Sequence, residues 1–295
     1  MQLSDYITQV QELVHDVSAI DYTTNEMTNY VNNARKRVGI DFHCVRQLFV
    51  GLQVVQGQET YPMSNGVGGA IITSGGNYPS APPTVTFDAA PAGGITATAT
   101  AVMTGTAVTG IAMTRWGAGY SSVPNVTFSA GVSTATATAV AMLNVMDFQS
   151  ISVINGIQRA MLLWHPFTYH QAIWRNNVSL SAGQPASWSN YTEQNLFYLY
   201  PPEPDQNYPI EIDGVITPSP LVHVADVDTQ ILDPMADCVQ FYAAHLALLK
   251  LQNFDQAEYM HKKYKARQQE IQLTRQTTRI PNIYQNVWRR LQRGF

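Results

Sequence analysis

The chain has 295 residues, 45% hydrophobic but only 13% charged, with a net charge of −4; an ordinary globular domain has roughly 25% charged residues. The length suffices for one large or two medium domains with a real core. No global basic field announces nucleic acid, and a surface so poor in charge is expected to be covered, by partner subunits for example.

The chain opens helical, with Ser4 as expected N-cap and Ile7, Val10, Val14 and Val17 at helical spacing over 4–17. Its first ten residues, MQLSDYITQV, lack the basic and apolar regions of a signal peptide. A second helix is expected over 24–38. Thr23 and Glu26 fit a capping box, and Met27, Tyr30, Val31, Ala34 and Val38 form its apolar stripe. Arg35, Lys36 and Arg37 fall where its C-terminal end is expected, favourable to the helix dipole. The two helices make a hairpin.

At VVQGQETYPM, from Val54, the pattern changes to period two. Residues 64–145 then shift in composition, with Asp88 and Arg115 as their only charges. A unit is written twice there: a strand (AIIT or GIAMT), a turn ending in Tyr78 or Tyr120, a proline, a VTF strand and a long TATATAV strand. Alternating Ala and Thr suits strands packed on one face and wet on the other. The segment reads as a Thr/Ala/Gly-rich β-repeat module inserted into a β-region of 50–63 and 146–225. Asn155–Gly156 marks a hairpin within that region.

Helix is expected again over 234–252. Asp233 is its cap, Pro234 its first position, and Met235, Val239, Tyr242, Ala243, Leu246 and Leu249 its buried stripe. A further helix over 254–276 carries Ala257, Met260, Tyr264 and Ile271. Residues 255–295 hold nine Lys/Arg against three acids, a net of +6 that leaves the rest of the chain at −10. Such asymmetry suggests head-to-tail docking or an anionic partner, beside the plainer reading of a solvated basic face.

No motif carries chemistry. His165, His170 and His223 lack metal-ligand spacing, and Glu203 and Asp205 sit in a Pro-rich turn. No phosphate loop or nucleophile elbow occurs. Neither an enzyme nor a metal or other cofactor is expected. Cys44 and Cys238 read as small buried hydrophobes of a soluble protein in a reducing compartment. No apolar run reaches the ~18–20 residues that span a bilayer, so no membrane partner is expected.

The expected fold class is α+β: N- and C-terminal helix hairpins forming a helical bundle around a central antiparallel β-region that carries the module. The core is 1–63 with 146–275, and 276–295 is a basic arm. This order resembles the head-to-tail adaptor proteins (connectors, or head-completion proteins) of tailed, in particular short-tailed, bacteriophages. The resemblance is carried by YTTNEMTNYVNNARKRV, VVQGQETYPM, FQSISVINGIQRAMLL and GQPASWSNYTEQNLFYLYPPEPDQNYPIEIDGVITPSPL. It is also carried by ILDPMADCVQFYAAHLALLKLQNFDQAEYMHKKYKARQQEI. It covers about two thirds of the chain and leaves out the 64–145 module.

The resemblance implies a virion protein at the head–tail junction, assembled in the host cytoplasm. Twelve copies would form a ring under the portal protein and offer attachment to tail, nozzle or tail-fibre proteins. Packaged DNA would pass through the lumen without sequence-specific binding. The C-terminal segment would reach toward the portal. Within it Ile283, Val287, Trp288, Arg289, Arg290, Leu291, Arg293 and Phe295 form the expected portal-docking or conduit arm, with Trp288 and Phe295 as apolar anchors. Two alternatives remain at this stage. One is a tail-fibre or receptor-binding protein that grips a glycan through the module, with Trp116 and Trp188 as exposed candidates. The other is a DNA-binding tail using Arg289, Arg290 and Arg293.

Overall fold

The computed structural model describes residues 1–175 and 182–277. Among them are five α-helices: α1 (Leu3–Leu13), α2 (Thr24–Phe42), the single turn α3 (Phe167–Tyr169), α4 (Ala236–Lys250) and α5 (Phe254–Thr277). The strands begin with β1 (Arg46–Val54), β2 (Thr60–Pro62), β3 (Gly66–Ser74), β4 (Val85–Phe87) and β5 (Thr98–Thr104). They continue with β6 (Ala107–Arg115), β7 (Gly117–Ala118), β8 (Asn125–Phe128), β9 (Thr136–Met142) and β10 (Val145–Asn155). The last are β11 (Gln158–Met161), β12 (Leu163–Trp164), β13 (Ser187–Tyr191), β14 (Leu196–Tyr200) and β15 (Tyr208–Ile216).

Strands hold 36% of the residues and helices 28%. The fold is therefore mostly β, with four sheets and a half-barrel, and this corrects the expected α+β helical bundle with terminal hairpins. The expectation over-weighted the strong 3.6-residue periodicity at the two ends. The small, uncharged residues of the middle carry a weaker signal per residue yet build the larger unit.

The chain divides into two compact units, Met1–Val45 with the chain from Thr217 on, and Arg46–Ile216. In the first, α2 starts as its sequence dictates. The Glu26 amide donates to Thr23 Oγ1, and the Thr23 amide donates to Glu26. Met27, Val31, Ala34, Val38 and Phe42 are its buried face, and it runs to Phe42 rather than stopping near 38. Arg35 therefore lies inside the helix and is buried, not at a C-terminal end. Helix α1 ends at Leu13 and is preceded by Gln2, so Ser4 is not its cap. Helix α4 begins at Ala236; Asp233 and Pro234 precede it. Its buried face is Ala236, Cys238, Val239, Ala243, Ala244, Ala247 and Leu248, while the expected core residue Leu249 is exposed.

In the second unit, one sheet has the order β1-β15-β10-β11 and another β12-β13-β14-β2. The Asn155–Gly156 turn joins β10 to β11, with Asn155 opposite Gln158. The repeat supplies a five-stranded sheet, β4-β8-β9-β3-β7, and the ribbon β5-β6. Its strands are those the sequence spells, but the two copies interleave. The TATATAV strand of the second copy (β9) pairs with β3 of the first, and that of the first (β5) pairs with β6 of the second. The two VTF strands pair with each other, Thr86 opposite Thr127. The tyrosines follow the same rule. The Ala135 amide donates to Tyr78 Oη at 2.8 Å, and the Ala97 amide donates to Tyr120 Oη at 3.2 Å. Each copy thus satisfies a backbone N–H of the other, an approximate two-fold relation inside one chain.

The module is stapled at its base. The Val145 amide donates to Ser64 Oγ, and the Asn144 amide to Asn65 Oδ1. Its core is continuous with that of the flanking sheets: Trp116 is in edge contact with Tyr61 and Phe197, and Phe197 with Phe148. Gln53 of β1 acts as a strand surrogate toward β6. Its Nε2 donates to Ile111 O at 2.6 Å, its Oε1 accepts from the Met113 amide, and its carbonyl accepts from Trp116 Nε1. Beside it, β1 and β3 approach so closely that a Cβ on Gly69 would fall 1.9 Å from Gly51 O.

Candidate functional site

Within the first unit, the chain between β15 and α4 has no regular structure, so its polar backbone needs partners. Arg35 and Asp228 supply the frame. Arg35 Nε donates to Asp228 Oδ2 at 2.7 Å and Nη2 to Oδ1 at 2.8 Å, a bidentate pair with side chains 2% and 0% exposed. Arg35 Nη1 donates to Ser219 O. Asp228 also accepts from the Gln230 and Ile231 amides and from Tyr6 Oη. Asn32 closes the clamp, its amide donating to Leu221 O and its carbonyl accepting from Leu221 N. Burial opposes ionisation of Asp228. The Arg35 hydrogen bond, the two amides and the Arg35 charge overcome that cost and hold its carboxyl below the usual range. One ion pair therefore fastens 217–231 to α1 and α2.

Separate contacts join two turns at one end of the helical unit. Tyr22 Oη donates to Ala247 O, and Lys250 Nζ donates to Asp21 O and to Glu26. The α1–α2 turn and the α4–α5 turn are therefore neighbours. Asp16 organises the first of them, accepting from the Ile20, Asp21 and Tyr22 amides. The side chains left outside are apolar: Val17 is 72% exposed, Ile20 83%, Leu251 46% and Phe254 64%. Exposed acids lie in the same turns and the adjoining helix ends, Glu12, Asp21 and Asp255, with Glu258 one turn into α5. Of the lysines nearby, Lys250 is engaged by Glu26 and Lys262 by Glu258, while Lys263 lies over the Tyr259 ring. A depression of about 360 Å³ lined by His245, Leu249, Phe254, Ala257, Glu258 and His261 opens on α4 and α5. His245 Nδ1 meets Ala257 O at 2.8 Å, and the two imidazole centroids are 4.9 Å apart. Burial, then the His245, Lys265 and Arg37 charges, push His261 below the ordinary histidine range, against Asp41. This end can bind an apolar partner of positive charge.

The second unit has its own exposed apolar feature. On the β10–β11 hairpin Ile157 is fully exposed and Met161 67% exposed, with Leu163 and Trp164 of β12 half-exposed. A groove of about 580 Å³ also runs along β1, β3 and β6, lined by Leu52, Gln53, Ile71, Val102 and Ile111.

The expected arm residues Ile283, Val287, Trp288, Arg289, Arg290, Leu291, Arg293 and Phe295 lie outside the described residues. The glycan candidates are corrected: Trp116 and Trp188 are 2% and 3% exposed, because both fill the aromatic core. Burial, with smaller neighbouring charges, raises the Cys238 thiol to about 12, so it behaves as a core residue; Cys44 is only partly buried. Among the described residues no group of three or more His, Cys, Asp or Glu is placed to hold a metal ion. No described helix is long and apolar enough to cross a membrane. The sequence reading missed both the Arg35–Asp228 clamp and the acid-rimmed end. The repeated acids of DYTTNE and NFDQAE flanking the two turns were the available signal for the second. No protein-family model matches the chain, and a search of curated proteins returns no match.

Proposed function

We propose that the protein is a structural component of a tailed-phage particle: a head-to-tail adaptor that assembles as a ring under the portal, extends the DNA conduit and gives tail proteins their attachment site. One observation carries the reading. Two of the stretches that resemble adaptor proteins, 22–38 and 231–271, are some 190 residues apart in sequence, yet their helices α2, α4 and α5 belong to one compact unit. The acid-rimmed apolar end of that unit and the exposed Ile157 hairpin are what a chain covered by neighbours in an assembly presents. The competing receptor-binding reading drew on the Thr-rich repeat together with Trp116 and Trp188 as exposed candidates, and both tryptophans are interior.

The test is genetic and biochemical. A phage lacking this protein should accumulate DNA-packaged heads that carry portal but no tail, and that leak DNA unless the purified protein is added back. Tailed, infectious particles made in its absence would contradict the proposal.

A further inference from the structure

The acid-rimmed end of the helical unit is an unpartnered apolar face, and the chain itself contains a segment of matching chemistry. Residues 278–295 carry Arg279, Arg289, Arg290 and Arg293 and no acid. Ile283, Val287 and Leu291 recur every four residues, which places them on one face of any helix the segment forms. Opposite them in charge stand Glu12, Asp21 and Asp255, in the same turns and helix ends as the exposed Val17, Ile20, Leu251 and Phe254. We infer that the basic tail of one copy docks on the acid-rimmed apolar end of a second copy, a head-to-tail contact between identical chains.

Length decides between docking on the same copy and on another. Phe254 opens α5, and the described chain ends with the same 24-residue helix at Thr277. At 1.5 Å per residue the tail starts about 36 Å from Phe254. Residues 278–281, closed by Pro281, span at most ~14 Å, and a helix over the remaining 14 residues adds about 21 Å. Laid back along α5 with that helix kept, the tail brings only its final turn to Phe254; drawn out fully its 18 residues would span about 60 Å and pass Phe254, but Ile283, Val287 and Leu291 would then no longer share one face. With the helix kept, Ile283, Val287 and Trp288 have no apolar surface at that end to cover. On a second copy all of them can reach it. A contact of this kind joins two different surfaces, so it propagates around a ring or along a filament rather than closing as a two-fold dimer. It stands apart from the adaptor reading because it needs no portal or tail protein.

The test uses complementary defects in the full chain. One variant lacks 278–295 and keeps the acidic end. The other, Ile20→Asp with Phe254→Asp, keeps the tail. Both altered side chains are exposed, and far-UV circular dichroism checks that the fold is intact. By sedimentation at 50 mM salt the wild type should self-associate, while each variant alone should be monomeric, at least about tenfold weaker. An equimolar mixture should form one-to-one pairs, because one supplies the tail and the other the receiving end. At 500 mM salt the pairing should weaken by about tenfold or more, as four arginines and the opposing acids are screened. A photo-crosslinker at Trp288 should label peptides from 12–21 or 251–258. Association of the Ile20→Asp/Phe254→Asp variant at wild-type strength would overturn the inference. So would failure of the mixture to pair, or a monomeric wild type whose tail is captured only by portal protein.

Discussion

Asp228→Asn is the sharpest perturbation of the helical unit. The carboxylate accepts from Arg35 Nε and Nη2, Tyr6 Oη and the Gln230 and Ile231 amides. An asparagine of the same shape must turn a donor amide toward either Arg35 or the backbone N–H groups. It also leaves Arg35, with its side chain 2% exposed, as an uncompensated buried charge. Removing one partner of such a pair costs about 3–5 kcal/mol. Arg35→Met with Asp228→Leu should recover a part of that loss. It removes both charges but still leaves the Gln230 and Ile231 amides without their acceptor.

Urea titration with two probes gives the measurement. Ellipticity at 222 nm reports chiefly the first unit, which holds the four longer helices, whereas Trp116, Trp164 and Trp188 lie in the second. The loss should appear in ellipticity. Its pH dependence follows from the depressed carboxyl. The contribution is fully present above the unfolded-state value of 3.8 and disappears as pH falls through the lower folded-state value. Wild type and variant should therefore converge in strong acid. A difference below about 1 kcal/mol at pH 7, or one that persists unchanged at pH 2, would refute the clamp.

Other outcomes follow from the β unit and the histidine pair. Tyr78→Phe and Tyr120→Phe each strand a backbone N–H of the opposite repeat, Ala135 or Ala97, and should each cost about 1–3 kcal/mol by tryptophan-monitored unfolding. A large loss for one and none for the other would contradict the reciprocal arrangement. Trp116→Ala removes a side chain packed on Tyr61 and Phe197 and should cost about 3–5 kcal/mol without altering glycan affinity in any array. Gly69→Ala should destabilise at the upper end of about 1–3 kcal/mol, since its Cβ meets the Gly51 carbonyl; an unchanged urea midpoint would contradict the close approach of β1 and β3. His261 is held below its ordinary 6.5, so the folded state binds fewer protons than the unfolded state there. Helical stability should fall as pH drops through 6.5, and His261→Gln should flatten that slope.

The two ends of the chain were legible because helices advertise themselves locally. The Thr23–Glu26 box and the 27-31-34-38 spacing need only neighbouring residues to be read, and both stand in the structure. The β strands of the repeat were also legible one by one, as was the Asn155–Gly156 hairpin. Their pairing was not. The repeat marked the strands of one module without saying which would pair, and β9 pairs with β3 across some seventy residues. Alternating Ala and Thr states which face is wet, not which strand is the partner. The weight given to the helical ends also hid how far strands dominate. Arg35 was misplaced for a related reason. A basic residue near a helix end reads as solvated unless its partner is known, and Asp228 lies 193 residues away in an irregular segment. The acid-rimmed end became visible only when the two turns that form it were brought together.

The adaptor reading rests finally on assembly with the portal. Cryo-electron microscopy of the full-length protein mixed with a portal protein encoded beside it tests it most directly. The account predicts closed rings of twelvefold symmetry capping the portal, coaxial with its channel and with the helical units in lateral contact. Single copies beside an uncapped portal, at concentrations where both proteins are in excess, would contradict it.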